Sequence, residues 1–243
     1  MIAIILGGGY ATRLWPLTKD KPKPLLSVAK KPIIEYIVEK LVELEVIKQI
    51  IISINLKFEP HFREWQSMYH NSVEILVEKS RSEEEKLGAV KALAQITSKV
   101  DDDCLILAGD NLFTSDLDGM IQTFDKKKAP IIALYNVKSL DLAKRYSTIN
   151  LDADNRIIDF IEKPKKPKTT LIGTCIYIVP KRTLPRLKEY LEKGLGRDEP
   201  GLFIEWLHRQ EPVYGYILEG YWCDIGNLES YKKADKFFSN LLT

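Results

Sequence analysis

The run from Leu6 to Thr18 combines glycines with hydroxyl and basic side chains, a composition suited to binding phosphate groups. Glycines let backbone N–H groups approach phosphate oxygens closely, because no Cβ stands in the way. Arg13 within the run and Lys23 shortly after it bring positive charge to the same place. We therefore predict that this segment binds the polyphosphate of a nucleoside triphosphate. The candidate residues are Leu6, Gly7, Gly8, Gly9, Thr12, Arg13 and Lys23.

Two common phosphate-binding motifs fit this run poorly. The Walker pattern Gly-x-x-x-x-Gly-Lys-Ser/Thr occurs nowhere in the sequence, which argues against a P-loop NTPase. In the dinucleotide fingerprint, Gly7 and Gly9 supply the first glycines, but Thr12 stands where the third belongs. The first helical pattern begins only at Pro32, too late for a helix N-terminus to meet a pyrophosphate. A nicotinamide or flavin enzyme is therefore disfavoured.

The elements that must position this segment alternate between apolar runs and helical patterns, which is typical of a mostly parallel sheet with helices on both faces. Apolar runs rich in β-branched residues predict strands at 2–6, 49–54, 73–77, 104–108 and 131–137. Apolar residues at helical spacing predict helices over 33–44 and 87–96, and Asp116 is placed to cap a further helix to 124.

After residue 145 the pattern changes to shorter strands. They are predicted at 147–151, 157–162, 171–179 and 213–218, with helices near 183–192 and 203–209. The sequence therefore predicts an α/β fold for the whole chain, with shorter strands in the second half.

Two strand ends carry further polar residues. The strand predicted at 104–108 runs into Gly109 and Asp110, and ligands of open α/β sheets bind at the carboxyl ends of strands. Asp110 is therefore expected to face the same crevice as the glycine-rich run, although alone it equally reads as a turn former. The run Glu162-Lys163-Pro164 likewise reads alone as a solvated strand end.

Taken together, these motifs resemble the sugar-phosphate nucleotidyltransferases, also called nucleotide-sugar pyrophosphorylases, over almost the whole chain. The N-terminal motif of that family, Gly-Gly-x-Gly-x-Arg-Leu-x-Pro-Leu-Thr followed by Lys-Pro-Leu-Leu, is matched at 8–18 and 23–26. One position departs, since Ala11 replaces a motif glycine. A second family motif, Trp-x-Asp-Ile-Gly, stands at 222–226.

The resemblance implies roles for the polar residues. Asp110 and Asp224 would bind Mg²⁺ together, and two carboxylates on one hard cation that also touches phosphate suit magnesium chemistry. Lys163 would hold the sugar phosphate, Glu162 would accept hydrogen bonds from sugar hydroxyls, and Gly173 would bring backbone close to the sugar. Cys175 occupies a position that is often glycine, which leaves the shape of the sugar pocket open. The implied catalytic residues are Arg13, Lys23, Asp110, Lys163 and Asp224.

The resemblance also implies a fold and a reaction. The fold is a Rossmann-like, mostly parallel sheet flanked by helices, with a smaller sugar-binding lobe. The reaction transfers a nucleotidyl group from a nucleoside triphosphate to a sugar 1-phosphate with Mg²⁺, releasing pyrophosphate. We expect one domain over 1–243, with a nucleotide-binding half to about residue 145 and a sugar-binding half from about 146. No hexapeptide repeats signal an appended left-handed β-helix.

The base and the sugar stay open. Pyrimidine-specific members place a Gln before the helix that starts with a glycine, whereas Glu83 and its acidic neighbours precede Gly88, as in mannose-1-phosphate guanylyltransferases. With Glu83 and Gly88 as nucleotide-binding residues, guanine is favoured over uracil or thymine. A Glu-rich segment before a helix equally suits the helix dipole and solvent. The same reaction with dTTP or UTP and glucose 1-phosphate is the alternative.

A catalytically silent regulatory subunit that binds nucleotide sugars is the alternative of another class. Such members of the resembled superfamily typically lose the basic residues of the N-terminal motif or a metal carboxylate, whereas this chain keeps Arg13, Lys23, Asp110 and Asp224. An enzyme is therefore expected.

Length, composition and charge narrow the class of protein and its cellular location. With 243 residues, 45% of them hydrophobic, and a formal charge of +2, the chain reads as a compact enzyme without a nucleic-acid surface. No apolar run approaches the ~20 residues of a membrane span and no signal-like leader precedes the first strand, so a cytoplasmic location is expected. The cysteines lack Cys-x-x-Cys spacing, which disfavours zinc or a disulfide. A homo-oligomer is left open.

Overall fold

A computed structural model describes residues 1–68 and 73–241 of the chain. Within these residues, the strands are β1 (Ile2–Leu6), β2 (Ser27–Val28), β3 (Lys31–Pro32), β4 (Gln49–Asn55), β5 (Val73–Glu78), β6 (Cys104–Ala108), β7 (Asn111–Phe113), β8 (Ile131–Asn136), β9 (Thr148–Leu151), β10 (Ile157–Ile161), β11 (Leu171–Val179), β12 (Tyr214–Ile217) and β13 (Trp222–Asp224). The helices are α1 (Ile33–Val42), α2 (Glu59–Met68), α3 (Ala89–Thr97), α4 (Asp118–Lys127), α5 (Leu140–Ala143), α6 (Pro185–Glu192), α7 (Pro200–Leu207) and α8 (Leu228–Leu241). The predicted α/β class is confirmed.

The chain divides into two compact units that interleave along the sequence. The first is drawn from Met1–Lys86, Leu107–Thr114 and Gly220–Thr243, and the second from Leu87–Ile106 and Ser115–Glu219. The assignment of a nucleotide-binding half up to about residue 145 and a sugar-binding half from about 146 stays a prediction.

In the first unit, β1, β4 and β5 pair in parallel. Ile4 lies opposite Ile51, and Ile52 lies opposite Ile75. All five residues of β1 are apolar, as is typical of a parallel strand with both faces covered, and Ile4 and Ile52 are fully buried. Their parallel direction brings their carboxyl ends to one edge, where the glycine-rich loop leaves β1.

In the second unit, β8 lies between β11, which is antiparallel to it, and β12, which is parallel. β9 pairs with β10 and, at one position, with β11. The register between β11 and β8 shifts between Gly173 and Tyr177, so β11 carries an irregularity there. Such bulges redirect side chains and are common beside binding sites.

All nine predicted strands are confirmed, three of them at the same bounds (2–6, 104–108 and 171–179) and the others with ends shifted by one residue. The prediction that Asp116 caps the next helix is wrong: α4 begins at Asp118, and Leu117 occupies the N-cap position without a side-chain cap. Helices α6 and α7 begin at Pro185 and Pro200 rather than at 183 and 203. Proline suits this first position because its N–H would have no helical partner there.

The sequence patterns did not reveal α2, α5, α8, or the short strands β2, β3, β7 and β13. In the described residues, no helix combines the length and apolar character needed to cross a membrane.

Candidate active site

The carboxyl end of β1 is fixed by backbone hydrogen bonds on both sides. The N–H of Gly7 donates to the carbonyl of Ser53 at 2.8 Å, and the N–H of Gly109 donates to the carbonyl of Leu6 at 2.9 Å. A Cβ on Gly109 would lie 3.0 Å from the Leu6 oxygen, so the close approach of the two segments favours glycine there. The loop after β1 and the turn that contains Asp110 are thereby held side by side.

Gly8 and Gly9 are not required by protein packing. A Cβ on Gly9 would meet no atom of the described residues within 4 Å, and the nearest atoms to a Cβ on Gly8 would lie at 3.8 Å. The carbonyl of Gly8 accepts a hydrogen bond from Nδ2 of Asn55, a fully buried residue, at 3.2 Å. The loop is therefore anchored while open space remains beside Gly9, as a ligand that approaches the backbone would need.

The loop continues into a 3₁₀ turn over Thr12–Leu14, which carries Arg13. Ala11, which replaces the motif glycine, adopts φ 50° and ψ 42°, a left-handed conformation that glycine adopts more readily. Its carbonyl accepts a hydrogen bond from Oγ1 of the buried Thr18 at 2.8 Å. The motif threonine thus stabilises the strained turn.

Lys23 and Asp110 form an ion pair. The Nζ of Lys23 lies 2.5 Å from Oδ2 of Asp110, and the two side chains are 15% and 24% exposed. Burial lowers the pKa of Lys23, but attraction to Asp110 and then to Asp224 outweighs it, so the pKa lies above its ordinary value. Arg13 acts in the opposite direction. All four charged groups therefore lie close enough to interact.

The register of β7 and β13 brings Asp224 to this place. Asp224 lies opposite Asn111 in the antiparallel pair, and the N–H of Ile225 donates to the carbonyl of Asp110 at 3.1 Å. Burial, and next the negative charge of Asp110, raise the pKa of Asp224 to about 6, against the effects of Lys23 and Arg13. Two neighbouring carboxylates that repel each other are thus held together by backbone geometry.

One hydrophobic cluster holds these segments in place. Leu14 follows Arg13, Leu112 follows the turn of Asp110, and Ile225 follows Asp224. All of these apolar residues are buried in the same cluster with Phe238 of α8. The remaining buried members are Leu26, Val28, Ile33 and Ala234. Helix α8, which the sequence patterns did not predict, therefore packs against the segments that carry the charged groups and helps to hold them in place.

The carboxylate pair fits Mg²⁺ by its donor chemistry. In the part of the chain that the structure describes, no group of three or more His, Cys, Asp or Glu side chains is arranged to hold a metal ion. Mg²⁺ is usually bound by one or two carboxylates, with water and substrate phosphates as the other ligands. Asp110 and Asp224 supply oxygen donors of that kind, and a cation would offset their mutual repulsion.

Glu162 and Lys163 lie in the second unit, just after β10. The Nζ of Lys163 is 3.4 Å from Oε1 of Glu162, and the side chains are 53% and 11% exposed, respectively. Lys163 has φ 44°, a left-handed conformation that is uncommon for a residue with a Cβ. Strained conformations of this kind cluster at functional sites.

Gly173 lies near this pair through Ser147, which sequence analysis did not select. The N–H of Gly173 donates to the carbonyl of Ser147 at 3.0 Å, and the Oγ of Ser147 donates to Oε2 of Glu162. Cys175 has φ 58° within the irregular part of β11, so it occupies a backbone conformation that favours glycine. The structure thus brings Glu162, Lys163 and Gly173 together.

The two residues selected for base recognition lie in different units. Gly88 precedes α3 with φ 90°, and a Cβ there would collide with the backbone of Arg197. Glu83 belongs to the first unit, where its carboxylate forms an ion pair with Lys86 and its side chain is 42% exposed.

A second acidic residue, Glu78, lies close to the loop. The Oε2 of Glu78 is 3.8 Å from the position of a Cβ on Gly8. Glu78 ends β5, so a carboxylate at the carboxyl end of a parallel strand was the sequence signal that could have identified it.

The sequence matches known proteins over almost its whole length. A family model described as nucleotidyl transferase matches residues 2–240. Bifunctional protein GlmU of Methanocaldococcus jannaschii is 31% identical over 237 residues, which cover 98% of this chain and 54% of that protein. GlmU of Methanococcus maripaludis is 31% identical over 243 residues, or 99% of this chain and 55% of that protein. The chain therefore spans about half the length of these curated relatives.

Solved structures share the fold. A Bacillus anthracis crystal structure named as a glucose-1-phosphate thymidylyltransferase in complex with sucrose superposes with a TM-score of 0.85 at 25% identity, covering 99% of this chain and 96% of that one. Apo UDP-glucose pyrophosphorylase gives a TM-score of 0.83 at 19% identity over 100% of this chain and 99% of that one. These similarities confirm the mostly parallel, helix-flanked transferase fold that the sequence motifs implied.

Proposed function

The chain belongs to the nucleotidyl transferase family, and we propose that it transfers a nucleotidyl group from a nucleoside triphosphate to a sugar 1-phosphate. The products are a nucleoside diphosphate sugar and pyrophosphate. The observation that carries this proposal is the grouping of Arg13, Lys23, Asp110 and Asp224 in the unit that contains the glycine-rich loop. The choice of acceptor is supported by a similar structure that is named for glucose 1-phosphate.

The first unit would bind the triphosphate. The open space beside Gly9 admits phosphate oxygens to the backbone amides, and Arg13 and Lys23 supply positive charge. Lys23 is paired with Asp110 in this structure, so triphosphate binding exchanges one anionic partner of the lysine for another. Because Lys23 keeps an anionic partner in both states, this exchange avoids leaving a buried charge alone.

We assign Mg²⁺ to Asp110 and Asp224, whose carboxylate oxygens fit that ion. When bound, such an ion neutralises charge on phosphate oxygens during the transfer. The protein's own part is to hold both carboxylates at one place through the pairing of β7 with β13.

The second unit would bind the sugar 1-phosphate. Lys163, with its exposed side chain, would pair with the phosphate. The carboxylate of Glu162 and the backbone at Gly173 would contact sugar hydroxyls. A positive and a negative group on neighbouring residues match an acceptor that carries a phosphate at one end and hydroxyls at the other.

In the reaction, an oxygen of the sugar 1-phosphate attacks the α-phosphorus of the triphosphate. A bond forms between that oxygen and the α-phosphorus, and the bond from the α-phosphorus to the oxygen that bridges to the β-phosphorus breaks. Pyrophosphate leaves with the electron pair. Little covalent chemistry is needed from the protein, so positioning and charge neutralisation by Lys163, Arg13 and Lys23 carry the rate.

For the base, we propose guanine, bound by the carboxylate of Glu83, while the nucleotide-binding role of Gly88 stays a prediction. The carboxylate of Glu83 can accept from the N1–H and N2–H₂ groups of guanine, whereas uracil and thymine offer one donor. The same reaction with dTTP or UTP and glucose 1-phosphate is the second candidate, and the name of the Bacillus anthracis structure favours it. A cytoplasmic location stays a prediction, and a homo-oligomer stays open.

Release of pyrophosphate tests the proposal. GTP, UTP, dTTP, CTP and ATP are each combined with glucose 1-phosphate and with mannose 1-phosphate, with Mg²⁺ and with EDTA. We expect release from at least one pair, lost with EDTA and strongly reduced in Asp110→Asn. If the protein binds a nucleotide sugar but releases no pyrophosphate from any pair, it is a regulatory nucleotide-sugar-binding subunit and the proposal is wrong.

A further inference from the structure

Ser147 is a buried hydroxyl residue of the second unit, 7% exposed, at the position before β9. Its Oγ donates a hydrogen bond to Oε2 of Glu162, a side chain that is 11% exposed. A hydrogen bond from a hydroxyl to a carboxylate is stronger than one between neutral groups. Ser147 therefore fixes one oxygen of this carboxylate in a place largely shielded from water.

The first turn of α7 closes around this pair. A Cβ on Gly201 would lie 2.7 Å from Oγ of Ser147 and would overlap the carboxylate of Glu162. The absence of a side chain at Gly201 therefore lets the helix start come close. The N-terminal end of a helix carries partial positive charge, which stabilises a carboxylate placed against it. Further along α7, Oε2 of Glu205 accepts the backbone N–H of Glu162 at 3.0 Å.

The other carboxylate oxygen has different surroundings. With the backbone and Oε2 of Glu162 held, Oε1 is the oxygen that lies beside Lys163, 3.4 Å from its Nζ. The Lys163 side chain is 53% exposed, so Oε1 of Glu162 lies beside a group that a dissolved ligand can reach. The carboxylate thus has one oxygen engaged inside the protein and one oxygen beside the lysine assigned to the sugar phosphate.

We propose that Ser147 is a positioning residue that presents Oε1 of Glu162 to one hydroxyl of a hexose 1-phosphate. The inference rests on the proposed function, because it takes Glu162 as the residue that binds the sugar. A carboxylate with two open oxygens can accept two neighbouring hydroxyls, one on each oxygen. With Oε2 bound to Ser147, Glu162 binds one sugar hydroxyl only. A sugar that lacks the adjacent hydroxyl should therefore still bind.

The test measures binding of glucose 1-phosphate, mannose 1-phosphate and the 2-, 3- and 4-deoxy analogues of glucose 1-phosphate by calorimetry, together with steady-state kinetics. Ser147→Ala should raise Kd and KM for the hexose 1-phosphate about tenfold, the scale of one hydrogen bond to a charged group. The kcat and the KM for the nucleoside triphosphate should not change. Ser147→Cys keeps the size with a weaker donor and should lie between.

The deoxy analogues test the single contact. In the wild type, one analogue should bind about tenfold more weakly than glucose 1-phosphate. In Ser147→Ala, the same analogue should bind almost as well as glucose 1-phosphate. The contact between Glu162 and that hydroxyl is already weakened in this variant, so removing the hydroxyl costs little more. If Ser147→Ala instead reduced the penalties at two neighbouring positions, Glu162 would contact two hydroxyls and the reading of one hydroxyl would be overturned.

Thr183→Val is the matched control. Thr183 is 1% exposed, and its Oγ1 donates to Oε2 of Glu211 at 3.0 Å in the same unit. This variant removes a buried hydroxyl-to-carboxylate bond of the same kind, so it should lower stability without changing Kd for the sugar phosphate. Circular dichroism checks that each variant is folded.

The outcomes separate this inference from the proposed function. Pyrophosphate release by the wild type with an unchanged Kd in Ser147→Ala overturns the role of Ser147 alone. Weaker sugar-phosphate binding in Ser147→Ala without release by the wild type overturns the proposed function and supports the role of Ser147. A wild type that binds neither hexose 1-phosphate overturns both.

Discussion

The Nζ of Lys23 lies 2.5 Å from Oδ2 of Asp110, although 87 positions separate the two residues in the sequence. The same lysine is attracted to Asp224, which is held beside Asp110 by the pairing of β7 with β13. One lysine thus partly offsets two carboxylates that repel each other. A divalent cation on the carboxylates would take over this task and would make Lys23 available to a phosphate.

Asp110→Asn and Asp224→Asn test the shared cation. Each change removes a charge but keeps the shape of the side chain, so each should lower kcat by at least about 10². The double variant should be little slower than the slower single variant, because either loss already impairs the same ion. The measurement is kcat with Mg²⁺ at saturating substrates.

Asp20→Asn serves as the control, because Asp20 is an exposed carboxylate in the segment between Thr18 and Lys23. It should leave kcat unchanged. A double variant as slow as the product of the two single defects would show that the carboxylates act independently, against a shared ion.

Lys23→Met and Lys163→Met test the separate roles of the two lysines. Lys23 pairs with Asp110 in the first unit, whereas Lys163 lies beside Glu162 in the second. Lys163→Met should raise KM mainly for the sugar 1-phosphate, and Lys23→Met should damage the use of the nucleoside triphosphate. Both KM values are measured for each variant.

The exposed neighbours Lys21 and Lys165 provide matched controls, because Lys21→Met and Lys165→Met remove the same charge a short distance away. Neither should change a KM by more than about twofold, the scale of weak surface electrostatics. Equal effects of Lys23→Met and Lys163→Met on both substrates would remove the basis for separate roles.

The sequence predicted the apolar elements well, and the reason is physical. β1 and β6 are continuous apolar runs that are buried almost throughout, so their composition alone identifies them. α8 contains a mixture of lysines and aromatic residues, and its buried positions are Ala234 and Phe238. Its role becomes visible only through tertiary packing, since Phe238 joins the cluster behind Arg13 and Asp224.

Polar partners were harder to predict than elements. Ser147 meets Glu162 because β9 and β10 pair with Thr148 opposite Ile161, a register that no local pattern specifies. Asp224 reaches Asp110 through the similarly unpredicted pairing of β7 with β13. The motifs identified residues that are able to bind ligands or take part in catalysis. Strand register determined which of those residues lie next to one another.

Phe238→Ala tests the support that α8 gives to the site. Phe238 is 4% exposed, and its ring lies 4.8 Å from the ring of Tyr36, measured between centroids. Truncation of a buried aromatic should lower the free energy of unfolding by about 3 to 5 kcal/mol, measured by urea denaturation. Leu241→Ala in the same helix is the control, because Leu241 is 58% exposed and its change should stay within about 0.5 kcal/mol. Equal losses in the two variants would contradict the packing argument.

Ala11→Gly tests the strain in the phosphate loop. Ala11 adopts φ 50° and ψ 42°, which costs a residue with a Cβ about 1 to 2 kcal/mol, offset in part by the entropy of glycine. The variant should therefore raise the free energy of unfolding by about 0.5 to 1 kcal/mol. Ala94→Gly within α3 should instead lower it by about 1 kcal/mol. A loss of stability in Ala11→Gly would show that the turn is relaxed with alanine.

Glu83→Gln and Glu78→Gln test the choice of base. Burial raises the pKa of Tyr10, and the charges of Glu78, Glu85 and Glu83 add to this effect, so these carboxylates lie near the residue that follows Gly9. A site built around Glu83 should favour GTP over UTP and dTTP. Guanine would then replace Lys86 as the partner of the carboxylate. Glu83→Gln should weaken GTP use by roughly 1 to 3 kcal/mol, the scale of a hydrogen bond to a charged group.

The measurement is kcat/KM for GTP, UTP, dTTP, CTP and ATP in the wild type and in both variants, with Glu84→Gln as the control because Glu84 is an exposed neighbour. Glu84→Gln should leave the order of the five nucleotides unchanged. If Glu78→Gln alone weakens GTP use, the carboxyl end of β5 reads the base and the role of Glu83 is wrong. A wild-type preference for dTTP or UTP would overturn the guanine assignment itself, because a carboxylate acceptor offers those bases no second hydrogen bond.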